Sequence, residues 1–174
     1  MIFVCAMTMA QTNAYPLLPM PQNYKVTDKS FAMGKVKLST PVLKSEWEAF
    51  IVNAGGELAD KAAAEIKVEL LPVIDGVKLN PDEAYRLSVS GKLIKIEAVT
   101  ERGVYWALQT LRQLEKKKGK KSLFAGCEIV DWPAFRIRGF MQDVGRSYIS
   151  VEEIKREIEI LSRFKINVLQ LASY

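Results

Sequence analysis

Asp143 and Arg146 are the residues of this chain whose types and spacing best suit ligand chemistry. A guanidinium can donate two parallel hydrogen bonds to neighbouring oxygens of a ligand, and a carboxylate three residues earlier can hold it in place. The same spacing also suits an ion pair that only ties down a loop. From the spacing alone, this structural role is the stronger interpretation.

The 174-residue chain contains no histidine and two cysteines, Cys5 and Cys127. The lack of histidine excludes Ser-His-Asp catalysis, Cys-His catalysis and histidine metal sites. Because Cys5 falls in a predicted leader, neither a disulfide framework nor a cysteine metal site is expected. We therefore expect no metal and no cofactor.

A strand, a helix and a second strand are predicted to position the candidate pair. The stretch RIRGFMQDV at 136–144 has the apolar pattern of a strand, and KINVLQL at 165–171 is typical of a buried parallel strand. Between them, Ser150 and Glu153 form the S-x-x-E capping box that starts a helix with one apolar stripe. In such β/α units, side chains just beyond the carboxyl end of a strand face the shared ligand site. The candidate pair falls at that position.

The residues before this unit predict an α+β domain with about three to five strands and two helices. Period-two alternation marks the strands, among them a hairpin that turns at 90–91. The first helix is predicted to be interrupted or to end at the glycines of 55–56, and the second begins at Thr100 and continues into the following lysines. Tyr105 and Trp106 of the second helix are assigned to the core or to an interface.

These patterns divide the chain into three parts. The apolar run at 1–14 is typical of a secretory signal peptide, so a secreted or periplasmic protein is expected. Residues 15–132 form the α+β domain and 133–174 the β/α unit, because the proline in 131–133 favours a boundary there. No stretch is long and apolar enough for a membrane helix.

The net charge of +5 owes much to the run KKKGKK at 116–121. A lysine run beside a glycine is typical of a solvated loop. Nucleic-acid binding through this run is an alternative that we do not favour, because no aromatic residues interleave it. We therefore expect no nucleic-acid partner.

Three stretches in the correct order resemble the β-N-acetylhexosaminidases of glycoside hydrolase family 20. Arg138-Gly139-x-x-x-Asp143-x-x-Arg146, followed by a helix and Lys165-Ile166-Asn167-Val168, resembles the start of that family's catalytic barrel. Upstream, LLPMPQNYKV at 17–26 and the stretch 83–114 are similar to its non-catalytic N-terminal α/β domain. The resemblance covers about residues 16–169 and implies that 133–174 is the incomplete start of a (β/α)8 barrel.

The resemblance implies that Arg146 binds ring hydroxyls of a terminal N-acetylhexosamine, with Asp143 as support. It also implies removal of that sugar from a glycan by substrate-assisted retaining hydrolysis, in which an Asp orients the acetamido group and a Glu donates the proton. The family carries these two acids as an adjacent pair on a later barrel strand. No catalytic residue is therefore assigned in this chain.

The chain departs from the family pattern at two places. Ser147 stands where the family usually has His after the Arg, and LQLASY at 169–174 replaces a His-rich strand end. Replacement of the catalytic pair by other carboxyls is not favoured, because two carboxyls must flank one bond at a set separation. The carboxyls weighed for that role are Glu101, Asp131, Glu152 and Glu153.

These observations predict a truncated or frame-shifted hexosaminidase, or a fragment of one, without turnover by the chain alone. A non-catalytic interaction or carbohydrate-associated module is the alternative. The barrel segment at 135–174 is expected to pack against the first domain, to pair with another copy or to be poorly ordered, since its strand edges need partners.

Overall fold

The computed structural model describes residues 16–173. They contain twelve β-strands, three α-helices and a 3-10 helix at Pro81–Glu83. The helices are α1 Lys44–Asn53, α2 Glu101–Gln113 and α3 Val151–Arg163. The strands are β1 Asn23–Val26, β2 Phe31–Ala32, β3 Lys35–Ser39, β4 Glu57–Leu58, β5 Ala64–Leu70, β6 Tyr85–Ser90, β7 Leu93–Ala98, β8 Glu115–Lys118, β9 Lys121–Phe124, β10 Cys127–Asp131, β11 Gly139–Asp143 and β12 Val168–Ala172.

Two of the sequence predictions concern a signal peptide and membrane-spanning helices. The predicted signal peptide at 1–14 lies outside the described residues. Within 16–173, none of the helices combines the length and the apolar character that crossing a membrane requires.

A seven-stranded mixed sheet, in the order β1-β10-β6-β7-β5-β3-β4, is the centre of the first domain. Strands β3, β4, β5 and β7 run parallel to one another, and β6, β10 and β1 add antiparallel pairings. Strands β2, β9 and β8 form a second sheet. The α+β class is confirmed. The strands outnumber the three to five expected, in part because β2 and β4 are two residues long and show no alternation.

The core of the first domain forms where the sheet meets its helices. In the hairpin of β6 and β7, Leu87 pairs with Ile96 and Val89 with Ile94, and all four side chains are buried. The turn at 90–91 is confirmed, with Gly91 at a φ of 55°. This alternation of buried and outward side chains is the signal that predicted the hairpin.

Helix α2 covers this sheet, packing against β6 and β7. Its N-cap is Thr100, as predicted, whose hydroxyl accepts a 3.2 Å hydrogen bond from the Arg102 amide. Val104, Leu108 and Leu111 are buried along one stripe. The same stripe predicted the helix, because these positions share one helical face.

Helix α1 ends before the two glycines, as the sequence predicted. Asn53 is its last residue, and Gly55 adopts a φ of 76°, a conformation that favours glycine. A Cβ at Gly55 would lie 2.1 Å from the carbonyl oxygen of Lys120. The close approach of the hairpin of β8 and β9 therefore adds a second requirement for glycine here.

The lysine run forms a β-hairpin, so its assignment to a loop and to the end of the second helix was wrong. Helix α2 ends at Gln113, and β8 pairs antiparallel with β9 around Gly119, which has a φ of 63°. Ser122 and Phe124 of β9 are buried, whereas 116–118 are exposed. The buried side of the hairpin comes from β9, which explains why the lysines alone gave no strand signal.

Residues 139–172 form the predicted strand, helix and strand. Strand β11 pairs parallel with β12 in a register that places Gly139 opposite Val168 and Asp143 opposite Ala172. Helix α3 connects the two strands and begins with the predicted capping box of Ser150 and Glu153. The unit packs against the first domain, which is one of the three outcomes expected for it, and α3 contacts α2.

Candidate functional site

Asp143 and Arg146 meet at the carboxyl end of β11. Arg146 Nε lies 3.3 Å from Asp143 Oδ2. The other carboxylate oxygen accepts a 2.9 Å hydrogen bond from the Gly145 amide, and the Val144 amide donates to the Ala172 carbonyl of β12 at 2.9 Å. One carboxylate therefore holds both the turn and the guanidinium. The contact was predicted from the spacing, and its role in sugar binding stays a prediction.

The guanidinium of Arg146 faces the outside of the unit. Its side chain is 78% exposed and that of Asp143 is 37% exposed. An exposed ion pair of this kind contributes little to stability. It can orient the guanidinium for two ligand oxygens without being needed for the fold. This contact is compatible with both interpretations of the pair, loop fixation and ligand binding.

The carboxyls weighed as replacements for a catalytic pair lie in different parts of the fold. Asp131 is buried in β10, and Glu153 accepts hydrogen bonds from Ser150 in the capping box. Glu101 and Glu152 are exposed in the first turns of α2 and α3. First-turn carboxylates stabilise a helix through its dipole, so these positions have a structural reason.

The chain has one adjacent Asp-Glu, at 82–83 in the 3-10 helix. Glu83 is 4% exposed and accepts a 2.7 Å hydrogen bond from Trp106 Nε1. Its second partner is the guanidinium of Arg138. Glu83 therefore lies at the interface between the domains and not at the exposed end of β11, whereas Asp82 pairs with Arg102 within the first domain.

The surroundings of Trp106 agree with its assignment to the core or to an interface. It is 8% exposed, and the guanidinium carbon of Arg138 lies 5.5 Å from its ring centroid. Tyr105 packs against the core of the first domain and meets the Trp106 ring edge to face, with the centroids 5.1 Å apart. The two aromatic residues thus lie between the domain core and the β/α unit.

A buried cluster at the base of the β/α unit was missed from the sequence. We call Glu83, Asp131, Arg138 and Lys165 the interface cluster. Lys165 Nζ lies 2.7 Å from Asp131 Oδ2 and donates a 2.9 Å hydrogen bond to the Tyr85 hydroxyl. The Lys165 and Asp131 side chains are 8% and 9% exposed. A charge this deeply buried is tolerated only when it is paired and hydrogen-bonded.

Burial also shifts the titration of the groups around Lys165. It lowers the pKa of Lys165 from its ordinary 10.5, and the neighbouring Asp131 opposes this by favouring the ammonium. Burial, together with the charge of Asp131, raises the pKa of Tyr85 well above 10. The tyrosine therefore stays a hydroxyl donor to Asp131 Oδ2, at 3.0 Å.

The second half of the cluster joins Arg138 to Glu83. Arg138 also donates from Nε to the Lys165 carbonyl at 2.6 Å. Asn167 Nδ2 reaches Glu83 Oε1 at 3.3 Å, and Asn167 Oδ1 accepts from the Arg138 amide at 2.9 Å. Arg138, Lys165 and Asn167 all belong to the motif that suggested the family. No sequence pattern indicated their partners, because Asp131 and Glu83 lie in the other domain.

An α+β domain with a mixed sheet, docked onto the first β/α unit of a barrel that has an Arg–Asp pair at its carboxyl end, is an architecture found in glycoside hydrolases. A profile described as glycosyl hydrolase family 20, domain 2, matches residues 14–132, and one described as glycosyl hydrolase family 20, catalytic domain, matches 135–172. The chain belongs to glycosyl hydrolase family 20. The resemblance drawn from the motifs is confirmed.

Several known proteins are similar to this chain over most of its length. The β-hexosaminidase of Porphyromonas gingivalis is 30% identical over 167 residues, which is 87% of this chain and 21% of that protein. The exo-β-N-acetylglucosaminidase of Vibrio harveyi, solved in complex with N-acetylglucosamine, is 31% identical with a TM-score of 0.74, covering 90% of this chain and 25% of that one. The β-N-acetylhexosaminidase of Bacteroides fragilis is 25% identical with a TM-score of 0.76, covering 91% of this chain and 33% of that one.

Proposed function

We propose that this chain is part of a β-N-acetylhexosaminidase that removes terminal N-acetylhexosamine from glycans. Membership of family 20 supports this activity, as does the similarity to the P. gingivalis β-hexosaminidase. The chain spans about a fifth of that relative, so the proposal concerns the activity of a longer protein. Hydrolysis is substrate-assisted, and its proton donor and acetamido-orienting acid come from barrel residues beyond the matched segment.

Within this activity, Arg146 binds ring hydroxyls of the terminal sugar and Asp143 orients its guanidinium. The observation that carries this role is the exposed ion pair at the carboxyl end of β11, where β/α barrels place ligand-binding side chains. A guanidinium presents five N–H donors in a fixed fork, a geometry that suits two vicinal hydroxyls. The chain alone would bind the sugar through this guanidinium, but it has no group that would protonate the leaving oxygen.

The first prediction concerns sugar binding by the 174-residue chain. Titration with N-acetylglucosamine, followed by amide NMR, is expected to shift the signals of residues 144–147 with a Kd on the order of millimolar, because one side chain makes few contacts. Arg146→Ala should abolish these shifts. Arg156→Ala is the matched control, since Arg156 is exposed on α3, and it should leave them unchanged.

The outcomes of this titration separate the two candidate functions. Shifts that persist in Arg146→Ala and map to 16–132 would contradict the role of Arg146. They would favour a carbohydrate-associated module, which the separate core of the first domain could support. In a parallel assay with a chromogenic N-acetylglucosaminide, no turnover by the chain alone is expected. Turnover that Arg146→Ala abolishes would show that the acids of this chain suffice for catalysis.

We also propose export and self-association for this chain. The apolar run at 1–14 supports secretion or a periplasmic location. Exposed apolar side chains on both strands and on the helix of the β/α unit support association between copies, since isolated strand edges and apolar faces favour pairing. They include Met141 at 60%, Val151 at 60% and Leu171 at 47% exposed.

A further inference from the structure

The β/α unit buries a charged residue in place of an apolar one. Lys165, at 6% exposed, is the only buried residue among those that the structure describes from 133 to 173. Phe135 and Ile137, at the start of the same segment, are each 74% exposed. A charged residue is thus buried in this segment while large apolar residues beside it are exposed, against the usual preference. Apolar burial therefore does not explain how the unit is held.

Apolar contact between the two domains is also incomplete. Helices α2 and α3 contact each other, but a cleft of about 550 Å³ lies between them. Tyr105 lines one side of the cleft, and Ile158 and Leu161 line the other. Side chains that face each other across this cleft lack the close packing from which apolar interfaces gain their stability.

Polar contacts, in contrast, converge on one end of the unit. Arg138 precedes β11 and Lys165 precedes β12, so both cations lie at the amino ends of the two parallel strands. Their partners, Glu83 and Asp131, are fixed in the first domain by Trp106 and by the Tyr85 hydroxyl. Hydrogen-bonded ion pairs are directional, so two pairs at the amino ends of two adjacent strands set both the position and the rotation of the unit.

The backbone at Lys165 fits this role. Lys165 has a φ of 61°, a left-handed conformation that is uncommon for residues other than glycine. Its carbonyl accepts from Arg138 Nε at 2.6 Å while its ammonium reaches Asp131. The strained turn after α3 therefore joins both halves of the interface cluster. Such a conformation persists only where surrounding contacts determine it.

We propose that the interface cluster, Glu83, Asp131, Arg138 and Lys165, docks the β/α unit onto the first domain, and that Lys165 is its positioning residue. The first domain thus serves as a template that sets the direction of β11 and β12. Arg146 lies beyond the opposite end of β11, a strand that spans roughly 13 Å from Gly139 to Asp143 at about 3.3 Å per residue. The cluster would place that guanidinium without touching any ligand.

Hydrogen exchange on the 174-residue chain tests this proposal, with Lys165→Met as the variant and Lys155→Met as the matched control. Lys155 is exposed on α3. In Lys165→Met, amides of β11 and β12 should exchange faster by on the order of a hundredfold, because Asp131 is left buried and unpaired. Amides of β6, β7 and α2 should keep their rates, and Lys155→Met should match the unmodified chain.

A double-mutant cycle distinguishes positioning from a general loss of packing. Asp131→Asn combined with Lys165→Met removes both charges, so its exchange rates in β11 and β12 should be no faster than those of Lys165→Met alone. Purely additive effects of the two substitutions would overturn the proposal. Unchanged exchange in Lys165→Met would also overturn it, as would a loss of protection spread equally over β6 and β7.

This inference is independent of the proposed sugar-binding role. The exchange experiment contains no sugar and reports only on how the unit is held. If Arg146 fails to bind N-acetylglucosamine while Lys165→Met releases β11 and β12, the proposed function fails and the docking role stands. The reverse pattern would remove the docking role and leave the sugar site.

Discussion

The ammonium of Lys165 lies between a carboxylate and a phenol, and this environment determines how it titrates. Burial is the largest influence and lowers its pKa, while Asp131 favours the charged form. The facing groups are Asp131 on β10, Tyr85 on β6 and the guanidinium of Arg138. Asp131 is the carboxylate that contacts the Lys165 ammonium in the described part of the chain. Without it, burial would lower the pKa of Lys165 further.

Asp131→Asn should therefore lower the pKa of Lys165 further and make the stability of the docked β/α unit depend more strongly on pH than in the unmodified chain. Loss of one partner of a buried pair costs about 3–5 kcal/mol at neutral pH. A folded-state pKa of Lys165 below 10.5 means that the folded chain releases this proton before the unfolded chain does. Stability then rises with pH between the folded-state value and 10.5. Exchange of β11 and β12 amides, corrected for intrinsic rates, should slow from pH 7 to pH 9.5.

The matched control for this prediction is Glu128→Gln. Glu128 lies on the same strand, faces solvent and pairs with Lys25 at 3.7 Å. It should show the pH dependence of the unmodified chain. If Asp131→Asn and Glu128→Gln follow the same curve between pH 7 and 9.5, the buried ammonium is not the group that responds.

At the residue level, the sequence predicted contacts between neighbours and missed those between domains. The contact of Asp143 with Arg146 spans three residues, so spacing alone could suggest it. Lys165 and Asp131 are 34 residues apart, and Arg138 and Glu83 are 55 apart. Their pairing depends on how two domains dock, which no local pattern encodes. The motif identified Arg138 and Lys165 as notable without indicating their partners.

The stability of helix α3 depends on the hydrogen bonds at its N-terminus. None of its residues is buried, so tertiary packing contributes little to holding it helical. The capping box supplies specific stabilisation: Ser150 Oγ accepts from the Glu153 amide at 3.2 Å, and Glu153 Oε2 accepts from the Ser150 amide at 2.9 Å. Hydrogen bonds that the Ser150 amide and hydroxyl donate to its carboxylate lower the pKa of Glu153.

Ser150→Ala should destabilise α3 by about 1 kcal/mol, the usual effect of removing a serine cap. Exchange of amides in the first turn of α3 is the measurement, and they should lose protection before those of the first domain. Ser147→Ala is the control, because Ser147 is exposed in the preceding loop. Equal protection of α3 in both variants would show that the cap does not limit the helix.

The elements that were predicted correctly share a strong periodic signal. Helix α2, the hairpin of β6 and β7, and the unit of β11, α3 and β12 all place apolar residues at regular intervals. Strand β8 does not, because its three lysines are exposed and its partner strand supplies the buried side chains. A strand that forms by pairing with a neighbour, and whose own side chains are exposed, has no apolar alternation from which it could be predicted.

The whole molecule combines a well-packed domain with a unit whose apolar surface remains open. In the first domain, Trp47, Phe31 and Phe124 are fully buried. In the β/α unit, Met141 and Leu171 on the two strands are 60% and 47% exposed. Exposed apolar side chains beside unpaired strand edges favour association between chains.

We therefore expect concentration-dependent association of the 174-residue chain in sedimentation velocity experiments. Leu171→Lys should shift the distribution toward the monomer, because a charge on β12 opposes pairing at this surface. Val52→Lys is the control: Val52 is a 65% exposed residue of α1 in the first domain. It should leave association unchanged. A monomer at every concentration would contradict self-association through this unit.

Strands β11 and β12 carry their two tasks at opposite tips. The amino tips, with Arg138 and Lys165, face the first domain, and the loop at 144–149 leaves from the carboxyl tip of β11. A library randomised over that loop could therefore explore new ligand preferences while assembly is left intact. The loop at 144–149 could thus be varied for engineering, because the contacts that dock the unit lie at the other end of its strands.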